Sequence, residues 1–530
     1  MSAAADDVKS LPGLSGNVVD YLFEHRLKPG ESERPYLLMP TGNVSFGAVY
    51  KRACQTAHML RRLGLGIGER VMFSVKDGQD FPAIFAAGMK IGAVSVPLNT
   101  FLKLKDYAYY IRDSEAKVVI VDIALADMVR EAVKGIPTVK HLLVTGGKAD
   151  GFVSFDEAIA NEPDAIETVP RKPDDMAFWL YSSGSTGDPK GVVHTHEHIY
   201  WATELFGIRA QGVQRDDVIQ CPPKMFFAFG LGNQVYFPIR TGASVIVETE
   251  AMKPDRGVAS LVKHRPTILV SVPTLFAGML TLMREMPPGE VAQACSRLRF
   301  CVSGGEVLPA AVFRAWKELT GTEILDGVGT TEMTHMFILN RLGKVVAGSC
   351  GTAVAGFDCR LVDDNWQPVP QGEVGNLFAI GPSAAREYWN KPEKTASTMR
   401  DGGVLTGDKF YQDKDGNFFY VGRNDDMLRV GAIWVSPAEI ESALAEHAAV
   451  QECAVIGVPD ENAMIKPKAF VILKPGNQSG PALEDALKGF LREKLAHFKC
   501  PRWIDFVSEL PKTATGKIQR FRLREQEGGR

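Results

Sequence analysis

An excess of either charge is the first thing this chain lacks. Its 60 lysines and arginines face 63 aspartates and glutamates, a formal net charge of −3 at pH 7. So even a balance leaves no electrostatic footprint for nucleic acid or an acidic membrane surface, and neither is expected as a partner. Long hydrophobic runs are also missing. The most apolar stretch, Phe81 to Leu98, is interrupted by Pro82, Lys90 and several glycines, and reads as a helix followed by a strand instead of a membrane span. The opening MSAAADDVKS has acidic residues and no apolar centre, so no secretory signal is expected there. Eight scattered cysteines make no CxxC pair and no disulfide-framework spacing; they read as reduced and mostly buried, in a cytoplasmic protein. No internal repeat or low-complexity tract is visible.

What is present is the composition of a globular protein, with 45% hydrophobic and 23% charged residues, on a chain too long for one ordinary domain. Up to about residue 170, helical and strand-like segments alternate: helix over 46–63, strand over 70–75, helix over 80–91, strand over 117–121. Alternation of this kind predicts α/β layers with largely parallel strands. A second run holds strands over 244–247, 267–270 and 298–302. From Ala347 to Ile380 short strands and turns suggest a β-rich subdomain. A boundary is expected near Gly422 to Asp426. Beyond it, Ser436 and Glu439 have the spacing to cap a helix running to His447, followed by strands over 450–458 and 469–473 and a helix over 481–495. The fold class is therefore α/β: a large N-terminal domain of layered sheets with a β-rich subdomain, residues 1–424, and a small α+β domain, residues 425–530, enough to fold as its own unit.

The stretch Tyr181 to Gly191, YSSGSTGDPKG, carries the first chemical signal. Gly184 and Gly187 permit a tight turn, Ser182, Ser183, Ser185 and Thr186 supply hydroxyls, and Lys190 adds a positive charge. Backbone N–H groups exposed in such a turn make an anion nest suited to a polyphosphate. The loop is not a Walker A motif, because Gly191 follows the lysine. An apolar run, Met176 to Tyr181, predicts a strand before it, and the spacing of Val192 to Phe206 suits a helix after it. His194, His196 and His198 alternate, and alternation shares a face only in a strand, so a helix here argues against a shared zinc site.

The whole string resembles the phosphate loop of the adenylate-forming superfamily of acyl-CoA ligases, peptide-synthetase adenylation domains and luciferases, and five further stretches in the same order extend the resemblance over nearly the entire chain. It implies a two-step reaction: a carboxylic acid and ATP give an acyl-adenylate and pyrophosphate, and CoA then displaces AMP. Such chemistry needs fixed positive charge, Mg²⁺ and a dry site. In DGVGTTEM, from Asp326, the resemblance assigns Asp326, Gly327, Thr330 and Thr331 to ATP and Glu332 to Mg²⁺, for which one or two carboxylates suffice. SGGE places Gly304, Gly305 and Glu306 at the adenine. Asp408 and Arg423 fall at the ribose positions, a carboxylate being an acceptor-only match for a diol. LPKTATGKIQR puts the adenylation lysine at Lys517, which joins Thr186 and Glu332 as catalytic residues.

Asp425 falls at the hinge about which the small, mobile domain of these enzymes rotates between half-reactions. RVGAIWVSP aligns Arg429, Gly431 and Ala432 with the CoA tunnel; Ala432 stands where the superfamily usually has glycine, and its methyl narrows that path or leaves the role to Gly431. MFFAFGLGN resembles the acid pocket of benzoate–CoA ligases, with Phe227, Ala228, Phe229 and Gly230 joined by Gly329 and His335. Phe229 stands where benzoate-type members usually have tyrosine. The resemblance therefore implies a small aromatic acid, with a small branched or hydroxylated aliphatic acid such as 2-hydroxyisobutyrate, or loading of a carrier protein, as alternatives. A homodimer is one option for its assembly.

Overall fold

Buried β-branched runs set the two large sheets. The structure is a computed structural model that describes residues 8, 10–182, 189–250, 252–423, 426–430, 433–461, 464–512 and 518–528. Val118–Asp122 (VVIVD) is buried at every position, as a parallel strand covered on both faces must be. Around it the first sheet runs Glu387–Tyr388, Lys190–Thr195, Met176–Ser182, Val94–Pro97, Arg70–Ser74, Val118–Asp122, His141–Thr145, Val153–Ser154. The helix Phe46–Arg62 begins at Ser45, whose hydroxyl accepts the Ala48 N–H at 3.2 Å, and packs against the helix Asp80–Lys90, buried from Phe81 onward.

The second sheet centres on the parallel strands Ile268–Ser271, Phe300–Ser303 and Ile324–Gly329, continued by antiparallel Met336–Leu339. Its far edge is a hairpin the sequence reading did not anticipate. Pro35–Met39 pairs parallel with Ser244–Ile246, Leu37 opposite Val245, and Gly42–Ser45 folds back on it. The third sheet, Asp358–Val362, Gly375–Ile380, Gly403–Gln412, Met399–Arg400 and Phe418–Arg423, is antiparallel. One hydrophobic cluster runs through all three sheets, from Val118 through Val302 to Leu377.

One expectation is corrected at the loop that matters most. Val192 to Thr195 is not the start of a helix. Lys190–Thr195 pairs antiparallel with Met176–Ser182, from Ser182 opposite Lys190 to Met176 opposite Thr195, so the two segments that flank the hydroxyl-rich stretch are the arms of a β-hairpin. Val192, Val193 and Thr195 are β-branched and favour the extended chain, and Glu387–Tyr388 covers the strand's other edge. The helix begins only at His196.

The C-terminal part has its own core of Val435, Ile440, Leu444, Val455, Val471, Leu487, Leu491 and Ile504. It is built from the helices Pro437–Ala445 and Pro481–Lys494 on the sheet Val450–Pro459, Ile465–Leu473, Trp503–Phe506. Ser436 caps the first helix, accepting the Glu439 N–H at 3.2 Å, and also donates to the Val421 carbonyl of the third sheet. Arg520 binds Glu441 through three hydrogen bonds of 2.6, 2.8 and 3.2 Å, and Arg524 binds Asp426 at 2.9 Å. Among the described residues no helix is long and apolar enough to cross a membrane.

Candidate active site

Glu332 sits where the two large sheets meet. The strand Ile324–Gly329 ends in a short 3₁₀ turn, Thr331–Met333, opened by Thr330, whose hydroxyl accepts the Met333 N–H at 3.2 Å. The turn carries the Glu332 carboxylate to the mouth of the hairpin. There Oε1 accepts from the Ser182 hydroxyl at 3.0 Å and the Tyr388 hydroxyl at 2.9 Å. Lys190, the first residue of the returning strand, lies over the Tyr388 ring at 4.9 Å. Burial, and then Lys394, hold its amine below the usual lysine value, and a nearby anion would stabilise its charged form. Tyr388 was not anticipated. It reaches the site by pairing opposite Val192 from a strand far along the chain, and no local motif marks it.

Asp408 and Arg423 face each other across the antiparallel ladder of the third sheet, Nε to Oδ1 at 3.3 Å. The carboxylate keeps the guanidinium firmly charged. At the end of Phe300–Ser303, Gly305 turns the chain at φ +86°, and the Glu306 carboxylate accepts from the Thr274 hydroxyl at 2.7 Å. Asp326 is buried in its strand. Desolvation pushes its carboxyl up to about 8, and its Oδ1 is buried with no hydrogen-bond partner among the described residues. A methyl on Gly327 would lie 2.6 Å from the Ile338 carbonyl oxygen, which explains glycine there.

The other end of the same turn carries His335 into an aromatic cage. Its ring lies 4.7 Å from Phe206, 4.8 Å from Phe237 and 5.8 Å from Phe229. Burial pushes the imidazole down to about 3, so it is neutral. Nε2 lies 3.2 Å from the Asn233 amide, while Nδ1 is buried with no hydrogen-bond partner among the described residues. Gly232 makes room for the ring, since a methyl there would come within 2.7 Å of Nε2. Phe227, Ala228 and Phe229 are half-buried at the start of the helix Ala228–Leu231. The side of Gly230 that a side chain would occupy is filled by the carbonyls of Pro223 and Lys224. That of Gly329 meets the backbone of His335 and Met336, and that of Gly304 meets the Met336 side chain. The segment is pinned from behind by groups the sequence reading missed. Asp77 accepts the Met225 N–H at 3.2 Å, and Lys224 donates to the Glu248 and Glu250 carbonyls at 2.6 and 3.0 Å.

The structure therefore brings together Ser182, Lys190, Glu332 and, on the same turn, Thr330, Thr331 and His335. Ser183, Gly184, Ser185, Thr186, Gly187, Asp425, Gly431, Ala432 and Lys517 lie outside the described residues, and Arg429 is placed by its backbone alone, paired with Trp434. The three alternating histidines split between strand and helix. His194 and His198 face each other, Nδ1 to Nδ1 at 3.2 Å, whereas His196 accepts the Val18 N–H, so the three do not converge on one point. Among the described residues no group of three or more His, Cys, Asp or Glu is arranged to hold a metal. A lone carboxylate at the mouth of the hairpin, beside the Ser182 hydroxyl, fits Mg²⁺, which usually keeps several waters and needs only one or two carboxylates from the protein.

The AMP-binding enzyme family matches residues 23–389, and the AMP-binding enzyme C-terminal domain matches residues 439–517. The chain belongs to the AMP-binding enzymes. Within them it is 42% identical to the benzoate–CoA ligase of Thauera aromatica over 96% of this chain and 95% of that one. A solved anthranilate CoA ligase in complex with anthranoyl-AMP superposes with a TM-score of 0.92 at 40% identity, covering 99% of both chains. A benzoate CoA ligase from Burkholderia xenovorans gives 0.88 at 40% identity, covering 96% of this chain and 99% of the other.

Proposed function

We propose that the protein is an AMP-forming aromatic acid–CoA ligase of the cytoplasm, acting on benzoate or a small amino- or hydroxybenzoate. One observation carries the reading: a single turn, 330–335, presents Glu332 to the phosphate hairpin at one end and His335 to an aromatic cage at the other. An acid ring seated in the cage would have its carboxylate delivered toward the nucleotide. In the first step a carboxylate oxygen attacks the α-phosphorus and pyrophosphate leaves; in the second the CoA thiolate attacks the acyl carbon and AMP leaves.

Residues 1–424 hold ATP and acid. Ser182, Ser183, Gly184, Ser185, Thr186, Gly187 and Lys190 cradle the phosphates, with Thr330 and Thr331 beside them. Gly304, Gly305, Glu306, Asp326 and Gly327 line the adenine side, and Asp408 and Arg423 hold the ribose. Phe227, Ala228, Phe229, Gly230, Gly329 and His335 form the acid pocket. Mg²⁺, when bound at Glu332, offsets the charge that builds on the phosphates. Residues 425–530 turn about Asp425 to bring Lys517 to the acid carboxylate and α-phosphate, then to offer Arg429, Gly431 and Ala432 to CoA. A dry aromatic cage favours a flat apolar ring over a hydroxylated aliphatic acid.

The test is mass spectrometry of CoA thioesters formed from an equimolar pool of benzoate, 4-hydroxybenzoate, anthranilate and 2-hydroxyisobutyrate with ATP, Mg²⁺ and CoA. An aryl thioester is expected to dominate. A product limited to the aliphatic thioester overturns the choice of acid, and pyrophosphate without any thioester points to a carrier protein as acceptor.

A further inference from the structure

Thr334 is strained. With φ +68° and ψ −40°, and the His335 N–H returning to the Met333 carbonyl at 2.7 Å, it centres the rare γ-turn of positive φ. Glycine would adopt this conformation freely, whereas a β-branched residue does so at a cost. What threonine adds is a buried hydroxyl. It donates to the Ser383 carbonyl at 2.8 Å and lies 3.1 Å from His194 Nδ1. Ser383 in turn donates to the Met333 carbonyl at 2.9 Å, and the Ala385 N–H to the Glu332 carbonyl at 2.7 Å.

His194 comes up from the hairpin strand to close this set, its Nε2 lying 2.9 Å from the Thr331 carbonyl. A carbonyl only accepts, so Nε2 carries the proton and Nδ1 of the neutral ring is bare. Nδ1 then takes the Thr334 hydroxyl as donor, sharing it with Ser383. The other neighbour, His198 Nδ1 at 3.2 Å, has none to give, since it already accepts the Thr195 N–H. Complete burial holds His194 down to about 3, which agrees with the neutral tautomer.

We propose that His194 is a positioning residue for adenylation: through Thr331 and Thr334 it braces the strained turn from beneath the hairpin and fixes Glu332 and His335 at the spacing the two substrates require. The proposal rests on the function given above. It differs from a packing role, which the ring also has, stacked on Phe178 at 4.8 Å, because only the Nε2–H and the bare Nδ1 carry the brace.

The full chain would be compared as wild type, His194→Gln, whose amide nitrogen reaches the place of Nε2, His194→Asn, whose amide does not, and Thr334→Val, which keeps the shape and removes the hydroxyl. Three quantities are read: Mg²⁺-dependent binding of α,β-methylene-ATP by calorimetry, pyrophosphate release with the preferred acid, and the melting temperature. Leaving a buried carbonyl unpaired is expected to make His194→Asn lose about tenfold in analogue affinity and in the rate of pyrophosphate release, with His194→Gln within about threefold of wild type and Thr334→Val between them. Equal losses in the two histidine variants, or losses that follow melting temperature alone, overturn the brace. Should both histidine variants fail to fold, unchanged analogue binding by Thr334→Val overturns it and weakened binding supports it. A wild type that binds the analogue but releases no pyrophosphate sinks the proposed function, while the binding series still decides the brace.

Discussion

The two ends of the turn 330–335 are built on opposite physics. At the Glu332 end the groups are ionic or hydroxylic and reach the surface: Ser182, Lys190 and Glu332 are half-buried, and Arg423 beside Asp408 is exposed. At the His335 end a neutral imidazole is enclosed by Phe206, Phe229 and Phe237. Triphosphate, ribose and Mg²⁺ are the same in every turnover, so fixed charges can meet them. On the proposed function the acid is what must be chosen, and a dry cage would choose among similar rings by shape, because a misfit there costs packing and leaves polar groups unpaired.

The sharpest way to break the contrast is Glu332→Gln. The amide keeps the size and a hydrogen bond to Ser182 or Tyr388 but removes the charge offered to the metal. Pyrophosphate release is expected to fall by about 10²–10³-fold, the usual scale for one well-placed electrostatic group, with the acid preference profile unchanged. A shift in that profile would mean the two ends do not act separately.

Gly230→Ala is the counterpart on the acid side. The new methyl would run into the Lys224 carbonyl and lie 2.5 Å from that of Pro223, and backbone gives way far less than a side chain. A loss of about 3 kcal/mol in urea unfolding is expected, with a blurred order of acid preference in the protein that remains folded. A variant as stable and selective as the parent would show that the pocket wall yields.

How much of this is legible in the amino-acid sequence alone differs between the two ends. The hydroxyls and glycines of 182–187, the TTE of 330–332 and the cap at Ser436 are local strings, and local strings survive in one dimension. The hairpin was not legible, because Val192 to Phe206 is apolar with a spacing that a helix or a strand followed by a helix can satisfy. Only pairing with Met176–Ser182 and the Glu387–Tyr388 edge decides between them. Tyr388 and Ser383 belong to the site through contacts that bridge long stretches of chain, and nothing near them in sequence announces it. His335 and Phe229 were visible as residues, but the other two rings of the cage were not. Phe206 and Phe237 come from two π-helical turns, Ala202–Ala210 and Gly232–Tyr236 with its cap, whose extra residue per turn shifts every side chain off the spacing an α-helix predicts.

The mildest test lies at the ribose. Asp408 is half-buried and paired with Arg423 at 3.3 Å, so Asp408→Asn should fold normally and leave the guanidinium in place. An asparagine offers one acceptor where a carboxylate offers two, and puts a donor where a ribose hydroxyl needs an acceptor. The loss is felt equally in ground and transition states, so KM for ATP should rise about fivefold with kcat nearly unchanged. The decisive control is 2′-deoxy-ATP. If Asp408 reads the diol, the parent enzyme discriminates against the deoxynucleotide and the variant treats both alike; discrimination that survives in the variant would move ribose recognition elsewhere. A KM effect of that size beside the loss expected for Glu332→Gln would place the two charges of this one wall at different stages, Asp408 in holding the nucleotide and Glu332 in carrying it to reaction.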